Sequence, residues 1–123
     1  MKPKILIVDD EPNIVLAIDF LLSQKGFQTE KAYNGTEALD KLNTFKPNLV
    51  ILDVMMPGMT GFEVAKRIRT MVAFSDIQIV FLTAKGTTKN KMQGYSNGGD
   101  LYLTKPFDND KLVTSIEEII QFG

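Results

Sequence analysis

The sequence predicts a doubly wound α/β fold built on a five-stranded parallel sheet of order 2-1-3-4-5. Three observations predict it. Continuous apolar runs, Ile5 to Val8 and Leu49 to Leu52, read as strands buried on both faces. Strand-like and helix-like segments alternate five times, which implies right-handed crossovers with helices on both faces of one sheet. The chain of 123 residues is the size of a single domain, and five units fall short of the eight that a closed barrel needs.

The elements follow in order. Lys4 to Val8 is the first strand, and a helix after Pro12 sets Ile14, Ile18, Leu21 and Leu22 on one face, with Gly26 as its C-terminal cap. Phe27 to Ala32 is a more polar strand suited to an edge. Asn34 caps a second helix whose inner face is Ala38, Leu39 and Leu42. Leu49 to Asp53 is the next strand, and after the Pro57-Gly58 loop a helix turns Val64, Ala65, Ile68, Met71 and Val72 inward. Ile77 to Leu82 is the fourth strand. A polar fourth helix over Thr87 to Asn97, interrupted by Gly94, ends at Gly98-Gly99. Leu101 to Thr104 is the last strand, and the final helix buries Leu112, Ile116, Ile119 and Ile120. This pattern suits the flavodoxin-like doubly wound order. No internal repeat or linker divides the chain, so residues 1–123 are read as one domain.

Composition removes several function classes. Lysine and arginine number 14 against 15 acids, with no run of like charge, so there is no electrostatic footprint for nucleic acid or an anionic membrane. The apolar runs are far too short to span a bilayer, and Met1-Lys2-Pro3-Lys4 does not lead into a secretory signal. The reading is therefore a cytoplasmic protein with no membrane and no direct nucleic-acid partner. The chain has no Cys and no His, which excludes thiolate chemistry, Ser-His-Asp catalysis and imidazole metal ligands.

In doubly wound folds ligands sit beyond the carboxyl ends of the strands. Those ends carry Asp9 and Asp10, Asp53, Thr83 and Lys105. Each has an ordinary explanation alone: an acid after a strand often caps a helix, a strand-end Thr reflects β-propensity, and Lys-Pro is commonly an exposed turn. Met55-Met56 reads first as gap filling. The convergence is what these explanations leave over. Three neighbouring carboxylates repel unless a cation neutralises them. Mg²⁺, which keeps several waters and binds one or two carboxylates plus a phosphate, answers that need.

Four stretches carry a resemblance: Ile5-Leu-Ile-Val-Asp-Asp-Glu-Pro12, Leu52-Asp-Val-Met-Met-Pro-Gly-Met-Thr-Gly61, Phe81-Leu-Thr-Ala84 and Tyr102-Leu-Thr-Lys-Pro-Phe107. In this order and spacing they make the whole chain similar to the receiver domain of bacterial two-component response regulators. The resemblance implies that Asp53 accepts a phosphoryl group from a phosphohistidine on a sensor histidine kinase or a histidine phosphotransfer protein. It implies that Asp9, Asp10, Asp53 and the Met55 backbone carbonyl hold Mg²⁺, and that Thr83 and Lys105 bind the phosphoryl oxygens. Thr83 and Tyr102 would form the switch, altering the surface of the fourth helix, fifth strand and fifth helix, roughly residues 85–111. That surface would serve a downstream effector or a fused output domain, and admits a homodimer. Met55 and Lys85 would flank the hydrolytic water and set the lifetime. A cis Lys105-Pro106 bond is also implied. The resemblance thus implies a phospho-acceptor switch, not an enzyme with a separate substrate.

One stretch departs from the family's common pattern. Where relatives often have Gly-Ala-Asp-Asp, this chain has Gly98-Gly99-Asp100-Leu101, which removes an acid from the signalling face. Rival chemistries lack their residues. No G-x-x-x-x-G-K-[ST] loop is present for an NTPase. Met55 stands where a haloacid-dehalogenase-like phosphatase would place its second Asp. The acids after strand one would repel the bare phosphate of a flavin. A docking module that had lost phosphorylation would lack one of Asp53, Lys105 or the acidic pair.

Overall fold

Alternation along each strand decides where the two cores form. The computed structural model describes residues 2–83 and 99–122. They form β1 (Lys4–Val8), α1 (Pro12–Gln24), β2 (Gln28–Ala32), α2 (Gly35–Phe45), β3 (Leu49–Asp53), α3 (Gly61–Thr70), a 3-10 turn (Val72–Phe74), β4 (Gln78–Thr83), β5 (Leu101–Thr104) and a C-terminal helix, α4 (Asn109–Phe122). All strand pairs are parallel, in the order β2-β1-β3-β4-β5, as the sequence predicts. The expected helix over residues 87–97 lies outside the described residues, as do Gly94, Gly98 and Lys85.

Successive strand residues point to opposite faces. Leu6, Val8, Val50, Leu52, Ile79, Phe81 and Tyr102 join the side chains of α2 and α3 in one core. Ile5, Ile7, Leu49, Ile51, Val80 and Leu82 join α1 and α4 in the other. β3 is buried along its whole length, because it lies at the centre of the sheet. This explains its unbroken apolar run.

The helix ends are satisfied locally. In α2 the Asn34 side chain accepts the Glu37 N–H at 2.9 Å. Thr60 and Glu63 form a reciprocal capping box at the start of α3. Past α1, Gly26 has φ 92°, its N–H reaches Ser23 O, and Phe27 N–H reaches Leu22 O. That double closure is the Schellman pattern expected of a glycine there. The N-cap of α1 is Glu11, without a side-chain cap bond of its own, and its N–H is taken by Asp9 Oδ1 at 2.9 Å.

The helix faces differ from the sequence reading in detail. Val15 stands with Ile18 and Leu22 at the centre of the buried face of α1, while Ile14 and Leu21 flank it half-buried. Val72 was expected inward but is 94% exposed. The helix stops at Thr70, and the 3-10 turn rotates the chain off the helical period. Phe74 is then the residue that turns inward.

Gly61 fixes how α3 docks. Its N–H donates to Val54 O at 3.0 Å. A Cβ there would fall well inside contact with the Asp53 carbonyl and would press on the Val54 backbone. Only glycine lets α3 begin this close to the end of β3. Gly61→Ala is expected to cost about 1–3 kcal/mol as backbone gives way. Chemical denaturation would show this as a lower midpoint, and a midpoint equal to the parent's would disprove the close-approach account.

Candidate functional site

Parallel strands deliver their carboxyl ends to one rim, and the predicted residues meet there. Asp9 follows β1, Asp53 ends β3, Thr83 ends β4 and Lys105 follows β5. Lys105 is aligned by its backbone: its N–H donates to Thr83 O at 2.6 Å, and the Lys105-Pro106 bond is cis as expected. Its ammonium lies 2.7 Å from Asp9 Oδ2, 3.2 Å from Asp53 Oδ1 and 3.5 Å from Glu11 Oε1. Carboxylate oxygens of Asp9, Asp10 and Asp53 all fall within 4.8 Å of one another.

Burial makes this cluster electrostatically expensive. Asp9 is fully buried and Asp53 is 3% exposed. Asp9 Oδ1 accepts the Glu11 N–H at 2.9 Å, while Oδ2 has no hydrogen-bond partner among the described residues and meets the Lys105 ammonium as an ion pair. Burial, and then the Asp9 charge, raise the Asp53 carboxyl to about 7, although Lys105 pulls it down. For Lys105 burial alone would lower the pKa. The close pairing with Asp9 and the charge of Asp53 outweigh it, so the ammonium is held above its ordinary value. Among the described residues one ammonium thus faces two buried carboxylates, with Asp10 nearer the solvent and Glu11 at the lip. The oxygens are clustered, hard and under-neutralised, which is the donor set a divalent cation requires.

Thr83 is buried at 4%. Tyr102 is also buried, and it sits opposite Phe81 in register. Its hydroxyl has no hydrogen-bond partner among the described residues. Met55 projects outward with 72% of its surface exposed beside the acceptor, whereas Met56 is the one that fills the core. Glu11 was absent from the sequence-derived site. Its place directly after the acidic pair was the only signal, and its reach to Lys105 emerges from the loop geometry.

Comparison with known proteins agrees with this geometry. The response regulator receiver domain family matches residues 5–117. Response regulator Rre1 of Synechocystis is 39% identical over 117 residues, covering 94% of this chain and 51% of that protein. The phosphate regulon transcriptional regulatory protein PhoB of Escherichia coli is 36% identical over 121 residues, covering 98% of this chain and 53% of that protein. The chain therefore spans about half the length of these relatives. Among solved structures, the chemotaxis protein CheY4 of Vibrio cholerae superimposes with a TM-score of 0.92 at 32% identity, covering 96% of this chain and 98% of that one.

The raised Asp53 pKa sets a pH dependence for the metal-free fold. An acid whose pKa is higher folded than unfolded contributes stability at low pH and loses it as pH rises through the folded value. Between the ordinary value of 3.8 and about 7, the protein in chelator is therefore expected to lose stability as Asp53 ionises. Asp53→Asn removes that loss and melts higher at pH 8. Thermal melts at pH 5 and pH 8 measure it. A parent protein equally stable at both, with Asp53→Asn no better at pH 8, contradicts the electrostatic account.

Proposed function

This chain belongs to the response regulator receiver domain family, and on that premise we propose that Asp53 is its phospho-acceptor, with Mg²⁺ held beside it. Receiver domains act as phosphorylation-dependent switches of two-component systems. The observation that carries the residue assignment is the meeting of Asp9, Asp10 and Asp53 within 4.8 Å, with Lys105 3.2 Å from Asp53. In this reading residues 1–123 work as one receiver domain in the cytoplasm. Among the described residues no helix is long and apolar enough to cross a membrane.

Asp9, Asp10, Asp53 and the Met55 carbonyl would hold Mg²⁺, which supplies charge neutralisation for the incoming phosphoryl oxygens. The chain's own residues do the rest. Asp53, ionised, attacks phosphorus in line with the departing imidazole of a partner phosphohistidine. The new P–O bond forms as the P–N bond breaks. Lys105 is already aimed at Asp53, so its point charge needs little reorganisation to face the transferred group. The Thr83 side chain offers a hydroxyl to a phosphoryl oxygen from the end of the neighbouring strand.

The donor is a sensor histidine kinase or a histidine phosphotransfer protein, and the reader a downstream effector or a fused output domain. Thr83 and Tyr102 couple the acceptor to the face made by β5 and α4, where a homodimer could also form. Phosphorylation shifts the populations of two pre-existing arrangements of that face. Met55, exposed just after Asp53 in the chain, offers water no hydrogen bond and so lengthens the phosphoryl lifetime; Lys85, the other residue of this lifetime reading, lies outside the described residues. The chain promotes only its own phosphorylation and dephosphorylation.

Acetyl phosphate with Mg²⁺ is expected to add a single phosphoryl mass to the parent protein and none to Asp53→Asn. Intact mass spectrometry reads this directly, and equal labelling of the variant rejects the acceptor. A hundredfold excess of Mg²⁺ over its Kd should also stabilise the parent by about 2.7 kcal/mol. Asp9→Asn or Asp10→Asn should weaken that response.

The coupling and lifetime assignments have separate tests. Thr83→Ala should still take label, yet lose the NMR shifts that beryllofluoride, a phosphoryl mimic, induces around Tyr102 and α4. Shifts of full size in that variant remove Thr83 from the path. Met55→Asn should shorten the half-life of phospho-Asp53, and an unchanged decay leaves Met55 with no part in it.

A further inference from the structure

β5 is the least self-sufficient strand of the sheet, yet it carries Tyr102 and leads into Lys105. It has four residues and lies at an edge, paired among the described residues with β4 alone. Its own pattern sets its register weakly. Leu101 and Leu103 pack on the core of α1 and α4, while Tyr102 packs on the core of α2 and α3. A slip of one residue would exchange one apolar set for another instead of exposing it. The same slip would turn Tyr102 to the other face and move Lys105 about 3.3 Å along the strand.

A polar clamp stands at the entrance to β5, far from the acceptor. The Asp100 N–H donates to Ile79 O at 2.7 Å, and Asp100 Oδ2 accepts the Ile79 N–H at 2.8 Å. One residue thus engages both backbone groups of a single residue on β4. Arg69, in the last turn of α3, donates from Nη2 to the same Oδ2 at 2.9 Å. Its Nη1 donates to Ser75 O at 2.9 Å and to Ile77 O at 2.5 Å. The guanidinium therefore fastens the 3-10 turn, the start of β4 and the start of β5 at one point. The ion pair is partly exposed, so its charge alone contributes little. Its geometry is the important part, because a carboxylate gripped from two sides fits only with Asp100 beside Ile79.

Building on the acceptor-site reading above, we infer that Arg69 and Asp100 are positioning residues that lock the register of β5. Asp100 beside Ile79 places Leu101 opposite Val80, Tyr102 opposite Phe81, Leu103 opposite Leu82 and Thr104 opposite Thr83. The next residue is Lys105, whose backbone then meets Thr83 O and whose ammonium meets Asp53. The clamp touches neither the acceptor nor the metal-ligand set. It determines which residue of β5 arrives there.

Asp100→Asn and Asp100→Ala separate register from mere stability. The asparagine keeps an oxygen for the Ile79 N–H, and the alanine keeps none. Three quantities are read: the Phe81–Tyr102 and Thr83–Thr104 cross-strand NOEs, the initial rate of acetyl phosphate labelling per folded molecule with Mg²⁺, and Tm. Asp100→Asn should keep the parental NOEs and label close to the parental rate. Asp100→Ala should lose those NOEs and label about 10- to 100-fold more slowly, the scale of a displaced reacting group. A purely structural role would lower Tm while NOEs and per-folded rate stay parental, and that result overturns the inference. Should Asp100→Ala not fold, Arg69→Met removes the outer half of the clamp and keeps every β5 side chain. It is expected to weaken the same NOEs and slow labelling, and parental values of both would overturn the inference. A parent that takes no label would instead sink the acceptor reading, while the NOEs still decide the register.

Discussion

Negative charge buried at the ends of parallel strands is the constraint on which this structure turns. Asp9 and Asp53 lie beneath the surface at the ends of β1 and β3, where water cannot solvate them fully. Isolated burial of a carboxylate costs several kcal/mol, and two neighbouring carboxylates add mutual repulsion. Lys105 is the compensation the chain itself supplies, reaching both acids from the far side of the sheet. The topology makes the problem unavoidable, because parallel strands in the order β2-β1-β3-β4-β5 bring their carboxyl ends to one rim.

Most of the fold is held together without this cluster, whose one side-chain bond to the backbone among the described residues is Asp9 Oδ1 accepting the Glu11 N–H. Helix ends are closed by Asn34, by the Thr60–Glu63 box and by Gly26, none of them in the acidic cluster. Stability comes from two apolar cores on opposite faces of the sheet, each filled by alternate residues of the same strands. The site can therefore hold repelling charges without a local collapse of packing. A cation that meets those charges relieves strain that the folded chain already carries, so affinity for the metal and relief of the fold share one source.

In the proposed reading, the edge strand β5 joins the chemistry to its readout. The strand brings Lys105 to Asp53 and, three residues earlier, buries Tyr102 with a hydroxyl that has no partner among the described residues. Small displacements at the end of β4 or β5 can thus be felt at the surface. The Arg69–Asp100 clamp opposes such displacement at the other end of the strand, leaving the end near Lys105 as the natural place for movement.

Much of this was legible in the sequence, for identifiable reasons. Continuous runs such as Leu49 to Leu52, short and rich in β-branched residues, read as strands covered on both faces, and five alternations allow few topologies. Once the topology is known, the residues at the strand ends follow by counting, which is why Asp9, Asp10, Asp53, Thr83 and Lys105 could be named in advance. Periodicity also identified most of the inward helix residues. It failed at Val72, where a 3-10 turn breaks the period of 3.6, and it ranked Ile14 above Val15 because both lie near one stripe. Tertiary structure alone decided the burial of Tyr102, the reach of Glu11 to Lys105 and the clamp between Arg69 and Asp100. Those features depend on which strand lies beside which and in what register. Residues 31 positions apart, such as Arg69 and Asp100, leave no periodic trace of their contact. Sequence determines the local periods and the order of elements, whereas distances between side chains on different elements exist only once the sheet has closed its pairings.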